Sequence, residues 1–302
     1  MTTPPVCDYE GSDYQTSFWD QGGRQYEDQA EAIALAKLLP AEGSLMLELG
    51  AGAGRNTPRY AGYRRIVLLD YSRTQLQQAR ERLGDSERYI FVAADVYKLP
   101  FMNQLFDGAT MIRTLHHMQS APKALEQVKR VLQPGAVFIL EFANKHNLKA
   151  ILRYRLGKQA WDPNDLKPIE FAALNFDFHP RAIFKWLEDL DMQIQKVLSV
   201  SHFRIGFIKR LLPAGLLSRL DGMLQGTGSW LQVSPSIFLR AQVKTGSAVI
   251  ENPHQLDVLE MLACPECGAH PLQKQADHLL CGGCGRKWAV RDGIYDFREP
   301  IA

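Results

Sequence analysis

Five short apolar runs punctuate residues 45 to 143: "LMLEL" (45–49), "RIVLLD" (65–70), "YIFVAAD" (89–95), "FDGATMIR" (106–113) and "AVFILEFA" (136–143). Each is strand-length, and stretches of helical period lie between them. Ser72 and Gln75 form an S-x-x-Q capping box ahead of Leu76, Ala79 and Leu83, with Gly84 as the stop. "PKALEQVKRVL" (122–132) is helical up to the "QPG" turn, and upstream Ala30, Ile33, Ala34 and Leu38 share one helix face before Pro40. Regular strand–helix alternation favours parallel pairing, because parallel neighbours need a crossover of about a dozen or more residues, usually a helix, whereas a tight hairpin gives antiparallel ones. The alternation therefore predicts an α/β domain whose parallel sheet is covered by helices on both faces. Further on, "PRAIFKWLEDL" (180–190) and Asn147 to Leu156 are predicted helices, and "MQIQKVLSVSHF" (192–203) and "PSIFLRAQV" (235–243) predicted strands.

The turn after the first run is rich in glycine. "LELGAGAGRN" sets Gly50, Gly52 and Gly54 between a strand and an expected helix, so backbone can approach a ligand there. The dinucleotide fingerprint needs a third glycine where Arg55 stands, which argues against NAD. Glu48, two residues before Gly50, suits a ligand with a cationic amino-acid end. Asp70 closes the second strand about 20 residues later, where a carboxylate can accept from both ribose hydroxyls. Asp95 and Val96 follow the third strand, where an adenine edge would lie.

These blocks resemble the class I S-adenosylmethionine-dependent methyltransferases. "ELGAGAG", "LLDYS", "AADVYKLPF", "FDGATMIRTLHHM" and "RVLQPGAVFILEF" occur in family order and spacing. The resemblance implies a Rossmann-like, seven-stranded, mostly parallel sheet whose last strand runs antiparallel. It also implies a cofactor site made by Glu48, Gly50, Ala51, Gly52, Gly54, Asp70, Tyr71, Asp95, Val96 and Arg113. Tyr14, Trp19, Arg24 and Tyr26 form either a lid, with Arg24 on the cofactor carboxylate, or an aromatic helix packed on the domain. His116 and His117 follow the fourth strand, which faces the transferring methyl in this family; each is either a general base or a packing residue. Asn175, Asp177 and His179 are candidates for the acceptor pocket.

Four of the five cysteines fall in the last forty residues, as two C-x-x-C pairs. Cys264 with Cys267 and Cys281 with Cys284 offer four thiolates from two tight turns, each followed by a glycine, Gly268 or Gly285. That set matches tetrahedral Zn²⁺; an iron site or free thiols are the alternatives. With all four positions filled by sulfur, the metal would be structural. The stretch from "LEMLACPEC" to "DGIYDF" resembles the small zinc-ribbon proteins that activate partner methyltransferases. The expected organisation is a methyltransferase domain over 1–245, a linker over 246–257 and a zinc ribbon over 258–302.

Composition narrows the function. A net charge of +2 is too small to indicate a polyanion partner by itself. No apolar run approaches the roughly 20 residues that span a bilayer, so stable membrane insertion is not expected. The first residues lack a basic and apolar signal pattern, and the expected location is cytoplasmic. Neither N-P-P-Y nor D-P-P-Y occurs, which excludes the usual amide and adenine amine signature. Cys7 is the only cysteine outside the terminal cluster, which disfavours cysteine-dependent pyrimidine methylation. The leading expectation is a methyltransferase for a small-molecule O, N or C acceptor, with the ribbon as stabiliser or substrate platform in cis. An RNA or protein substrate recognised through the ribbon and "NLKAILRYRLGK" (147–158) is the alternative, and a non-catalytic cofactor-binding scaffold the third reading. The oligomeric state is not legible.

Overall fold

The computed structural model describes residues 4–13, 15–246 and 249–301. Five strands, β1 (Gly43–Leu49), β2 (Tyr63–Asp70), β3 (Tyr89–Ala93), β4 (Phe106–Met111) and β5 (Leu132–Ala143), pair in parallel in the order β3-β2-β1-β4-β5. A short hairpin of β6 (Ile169–Ala172) and β7 (Asn175–Asp177) stands apart. β8 (Met192–Val200) and β9 (Ser236–Val243) complete a seven-stranded unit, with β9 inserted antiparallel between β5 and β8.

Strand alternation divides the core. Leu45, Leu47 and Leu49 of β1 point to the side covered by α3 (Ala121–Val131) and α5 (Pro180–Asp189). Met46 points to the side covered by α1 (Gln25–Leu38), α2 (Arg73–Leu83) and α7 (Ala214–Leu224), with Leu35, Leu76 and Leu217 beside it. The last five residues of β1 are all buried, as expected for a parallel strand sandwiched between helices. α4 (Leu148–Arg155) and α6 (Gly206–Leu211) lie in the connections that follow β5 and β8.

Two local expectations are corrected. No α-helix follows the glycine turn: only a 3₁₀ turn at Thr57–Tyr60, with Pro58 at its start, fills the short span between β1 and β2. The capping box at α2 is half formed. Ser72 Oγ accepts from Gln75 N–H (3.2 Å), but the Gln75 side-chain amide donates to the Ser12 carbonyl (3.0 Å), and Ser72 N–H donates to Asp70 (2.9 Å). Gly84 closes the helix at φ +77, the conformation that favours glycine.

The sheet is also longer than seven strands. After α8 (Val258–Met261) the chain forms β10 (Gln273–Lys274), β11 (His278–Leu280), β12 (Lys287–Arg291) and β13 (Ile294–Ile301), an antiparallel ribbon. β13 then pairs in parallel with β3 through Ile294 and Phe91, Tyr295 and Val92, and Asp296 and Ala93, giving eleven continuous strands. β3 would otherwise be a bare edge with unpaired amides and carbonyls. Met102 N–H donates to Met261 O and Ala263 N–H to Pro100 O, both at 3.0 Å, so a second backbone seam fastens the ribbon. Leu262, Leu279 and Trp288 join Phe101 and Phe106 in one apolar core. Among the described residues, no helix is long and apolar enough to cross a membrane.

Candidate functional site

A cavity opens at the C-terminal ends of β1, β2 and β4. Parallel strands bring their following turns to this one end, so residues far apart in sequence converge there. Glu48, Gly50, Ala51, Gly52, Asp70, Tyr71, Val96, Arg113 and His117 all line it. Gly50 has φ +67, and a Cβ there would sit 2.0 Å from Thr114 Oγ1, so only glycine fits under the β4 turn. Gly52 N–H donates to Asp70 Oδ2 at 2.8 Å, which draws the glycine turn onto the end of β2.

Other predicted residues lie elsewhere. Gly54 does not line the cavity; a Cβ there would press on Ala79 and Leu83 at 3.2 Å, so it serves the packing of α2. The Asp95 carboxylate turns to its own Tyr97 N–H (2.9 Å) and faces a neighbouring recess with Lys98 and Glu266, leaving Ala94 and Val96 on the wall. His116 stands behind His117, ring centroids 4.0 Å apart, and burial holds it well below the usual imidazole range. Arg24 lies over the Phe18 ring (4.3 Å), 3.6 Å from Glu27, and off the cavity wall. Of the aromatic lead-in, Trp19 lines the cavity, whereas Tyr26 is core, donating to Asp221 (3.0 Å) and accepting from Phe203 N–H (2.9 Å). Tyr14 lies outside the described residues. Asn175, Asp177 and His179 are not on the wall: His179 Nδ1 caps α5 by accepting from Arg181 N–H (3.1 Å), and burial pushes Asp177 up to about 6.

Several wall residues escaped the sequence reading. Val6, Tyr9 and Gln15 reach the cavity because the lead-in folds back across α2. Glu10 accepts from Arg73 N–H (2.9 Å), Thr74 N–H (3.2 Å) and Thr74 Oγ (2.6 Å), and its remote partner Arg298 lies on β13 at 2.9 Å. No local pattern in "PVCDYEGSDY" signals this, since every partner of the Glu10 carboxylate is at least 63 residues away. Arg55 had a signal, its place where a dinucleotide fold needs glycine. Its guanidinium lies 3.5 Å from the Trp19 ring centroid and 2.7 Å from Glu31.

Electrostatics concentrate on two carboxyls. Glu31 is fully buried; burial favours its neutral form, yet Arg113 and Arg55, both hydrogen-bonded to it, hold it below the usual carboxylate range. Arg113 itself has φ +59, a left-handed conformation costly for a residue with a side chain. Its N–H donates to Glu141 (2.9 Å) and its Nε to Glu31 (2.7 Å), which over-determine that conformation. Glu48 is also buried, and burial pushes it up to about 7 against an accepted hydrogen bond from Thr57 (2.6 Å).

His117 has a defined tautomer. Its Nδ1 is 3.1 Å from the Leu174 carbonyl, which can only accept, so Nδ1 carries the proton. Nε2 then presents a lone pair, 3.2 Å from Tyr9 Oη, inside the cavity. Burial lowers its pKa, so the ring is neutral at physiological pH.

The second centre is the cysteine cluster. The ligand atoms of Cys264, Cys267, Cys281 and Cys284 lie within 4.8 Å of one another, with Sγ pairs at 3.7 and 3.4 Å. A tetrahedron with Zn–S near 2.3 Å requires sulfurs about 3.8 Å apart, so the set fits zinc.

The family described as methyltransferase domain matches residues 47–140, and the Trm112p-like protein family matches residues 255–293. A demethylmenaquinone methyltransferase of Clavibacter sepedonicus is 30% identical over 202 residues, 65% of this chain and 80% of that enzyme. The chain belongs to the class I S-adenosylmethionine-dependent methyltransferases. This methyltransferase is also 29% identical to an O-methyltransferase of Penicillium expansum over 149 residues, 46% of the chain and 54% of that protein. With a ubiquinone/menaquinone biosynthesis C-methyltransferase of Pseudomonas fluorescens it shares 29% identity over 153 residues, covering 46% and 60%. It therefore spans only a little over half the length of these last two relatives. Among solved structures, a complex of the Haloferax volcanii Trm112 methyltransferase activator with a methyltransferase aligns at TM-score 0.52 and 16% identity, over 81% of the present chain and 100% of the matched one. An S-adenosylmethionine-dependent methyltransferase of Mesorhizobium loti aligns at TM-score 0.53 and 19% identity, over 72% and 99%. Both likenesses concern the fold. S-adenosylmethionine is its methyl donor, and Zn²⁺ the metal its four cysteines suit.

Proposed function

We propose that the enzyme methylates a small, largely apolar acceptor carrying an ionisable hydroxyl, on that oxygen or on the ring carbon it activates. The observation that carries this reading is the neutral His117, whose Nε2 lone pair faces, beside Tyr9, the cavity that Gly52 and Asp70 also line. Asp70 would accept from the cofactor ribose, and Glu48 with the Gly50 to Gly52 turn would meet its amino-acid end. Ala94, Val96 and Tyr71 flank space suited to the adenine. When bound, the sulfonium would supply an electrophilic methyl, from which the acceptor displaces the neutral thioether in line.

The chain's own groups do the rest. Trp19, over which Arg55 stacks, screens the cavity from water, and alignment of the acceptor supplies most of the rate. His117 Nε2 takes the hydroxyl proton directly or through Tyr9, leaving an oxyanion nucleophilic at oxygen or at the adjacent carbon; after attack through carbon, that carbon's proton is lost and the oxygen is reprotonated, which restores the aromatic hydroxyl. His116 packs behind it and positions the ring. The relatives that methylate quinone precursors or an oxygen support an acceptor of this chemistry. We place the catalytic unit in 1–245 and the ribbon in 258–302. The ribbon is assigned the part of in-cis stabiliser, supported by its pairing with β3 and by a cavity wall that includes no described ribbon residue.

Transfer of label from methyl-tritiated cofactor to phenols and hydroquinones, bulk tRNA and total protein in parallel tests the reading. Label should enter the organic-extractable products, and His117→Ala should lower kcat by about 10²–10⁴-fold with little change in KM. Label confined to tRNA or protein would replace the small-molecule reading with the macromolecular one.

A further inference from the structure

The connections that leave β5 and β8 and enter β9 emerge at the end of the sheet where the cavity opens. Leu148 N–H donates to Val233 O (2.8 Å) and the Asn144 amide to Gln232 O (3.0 Å), which fixes α4 beside the segment entering β9. Leu148, Leu152 and Leu156 recur every four residues, one stripe of a helix, and are 54%, 50% and 66% exposed. Trp230, just ahead of that segment, is 73% exposed. A soluble surface does not ordinarily group side chains of this size at such exposure.

The charge that α4 itself carries has one sign: residues 144–161 contain no Asp or Glu. Lys149, Arg153, Arg155 and Lys158 around α4 are exposed, with no ion-pair partner among the described residues. We propose that this face docks on an anionic lipid bilayer, with the leucine stripe and Trp230 in the headgroup boundary and the cations on lipid phosphates. This deepens the function proposed above, on which it rests for its purpose: an apolar acceptor dissolved in the bilayer would reach the cavity without crossing water. The chemistry favours lipid over the other occupants. RNA would use cations and aromatic platforms but would leave the leucine stripe against ribose and phosphate. A second copy meeting the same face across a two-fold axis would set cations against cations.

The test is flotation of the full-length, zinc-loaded protein with vesicles of equal parts phosphatidylglycerol and phosphatidylcholine, and with vesicles of phosphatidylcholine alone. Binding to the anionic vesicles should exceed binding to the neutral ones at least tenfold and fall steeply at about 0.5 M salt. Lys149→Glu with Arg155→Glu should each weaken it about fivefold or more. Leu152→Ser with Leu156→Ser should weaken it while leaving cofactor affinity in calorimetry unchanged, which also shows that the variant is folded. Equal binding to both vesicles, no binding to either, or binding that the four substitutions leave intact would overturn the proposal. Salt-sensitive binding to tRNA without vesicle binding would reassign the face to RNA, and a stable dimer abolished by the serine substitutions would reassign it to a second copy. Because flotation needs no acceptor, failure to methylate a small molecule and failure to bind lipid are separately visible.

Discussion

Glu48 and Glu31 face opposite electrostatic fates within one small region. Glu31 is held ionised by Arg55 and Arg113, so its folded-state pKa is depressed and its contribution to stability is present above the ordinary carboxylate range and lost as pH falls through the folded value. Glu48 is shifted the other way, from an ordinary 4.5 to about 7, chiefly by burial. A raised carboxyl pKa opposes folding once the unfolded chain ionises, so its penalty starts as pH rises above 4.5 and levels off above about 7. Glu48→Gln should therefore stabilise the free enzyme at pH 8 by up to about 3 kcal/mol and leave it unchanged near pH 4. Denaturant titrations at both pH values check this; equal effects at both would mean that the Glu48 shift is not the cause. The same substitution should weaken cofactor binding if Glu48 meets the cationic amino-acid end. Glu48 and Asp70 were legible as candidates because they flank strand ends. Glu31 was not, because nothing in "DQAEAIALAK" reveals that one helix position faces two guanidiniums 24 and 82 residues downstream.

At the level of elements, the lead-in is the part that sequence periodicity could not place. Residues 8 to 12 have no apolar repeat, yet they lie against the start of α2: Gly11 N–H donates to Thr74 Oγ (3.1 Å) and Gln75 to Ser12 O (3.0 Å). Glu10 joins three elements, since Arg298 of β13 donates to it at 2.9 Å while also pairing with Asp296 at 2.7 Å. Although partial burial opposes it, the bonds from Thr74 and Arg73 N–H and the charge of Arg298 hold Glu10 below its ordinary value. The ribbon thus touches the segment that carries Val6 and Tyr9 to the cavity. Arg298→Ala should raise the cofactor dissociation constant about two- to fivefold, the effect of losing one partly exposed ion pair, with partial recovery in Arg298→Lys. Unchanged affinity in calorimetry, with unchanged amide exchange at 8–12, would mean that the ribbon does not hold the lead-in.

Across the whole molecule, the eleven-stranded sheet makes the zinc centre a matter for the first domain as well. A unit of about 45 residues cannot bury a sufficient core alone, and four thiolates drawn together by a metal compensate for that. Chelation should abolish exchange protection over 258–301 and also expose the amides of β3, whose outer edge β13 covers. Hydrogen exchange followed by mass spectrometry reads both regions; protection of β3 unaffected by metal removal would separate the two units energetically.

Strand-helix alternation, the glycine turn, the acidic strand ends and the paired cysteines are local in sequence, since each depends on spacing within a few residues. From them followed the parallel sheet, the antiparallel last strand implied by the family blocks, the donor and the four sulfurs. Tertiary structure alone decided what covers β3, where the lead-in lies, which histidine reaches the cavity and which apolar side chains remain uncovered. Those outcomes depend on contacts between residues tens to hundreds of positions apart, whose closeness is settled by packing two faces of one sheet and leaves no periodic trace in the chain.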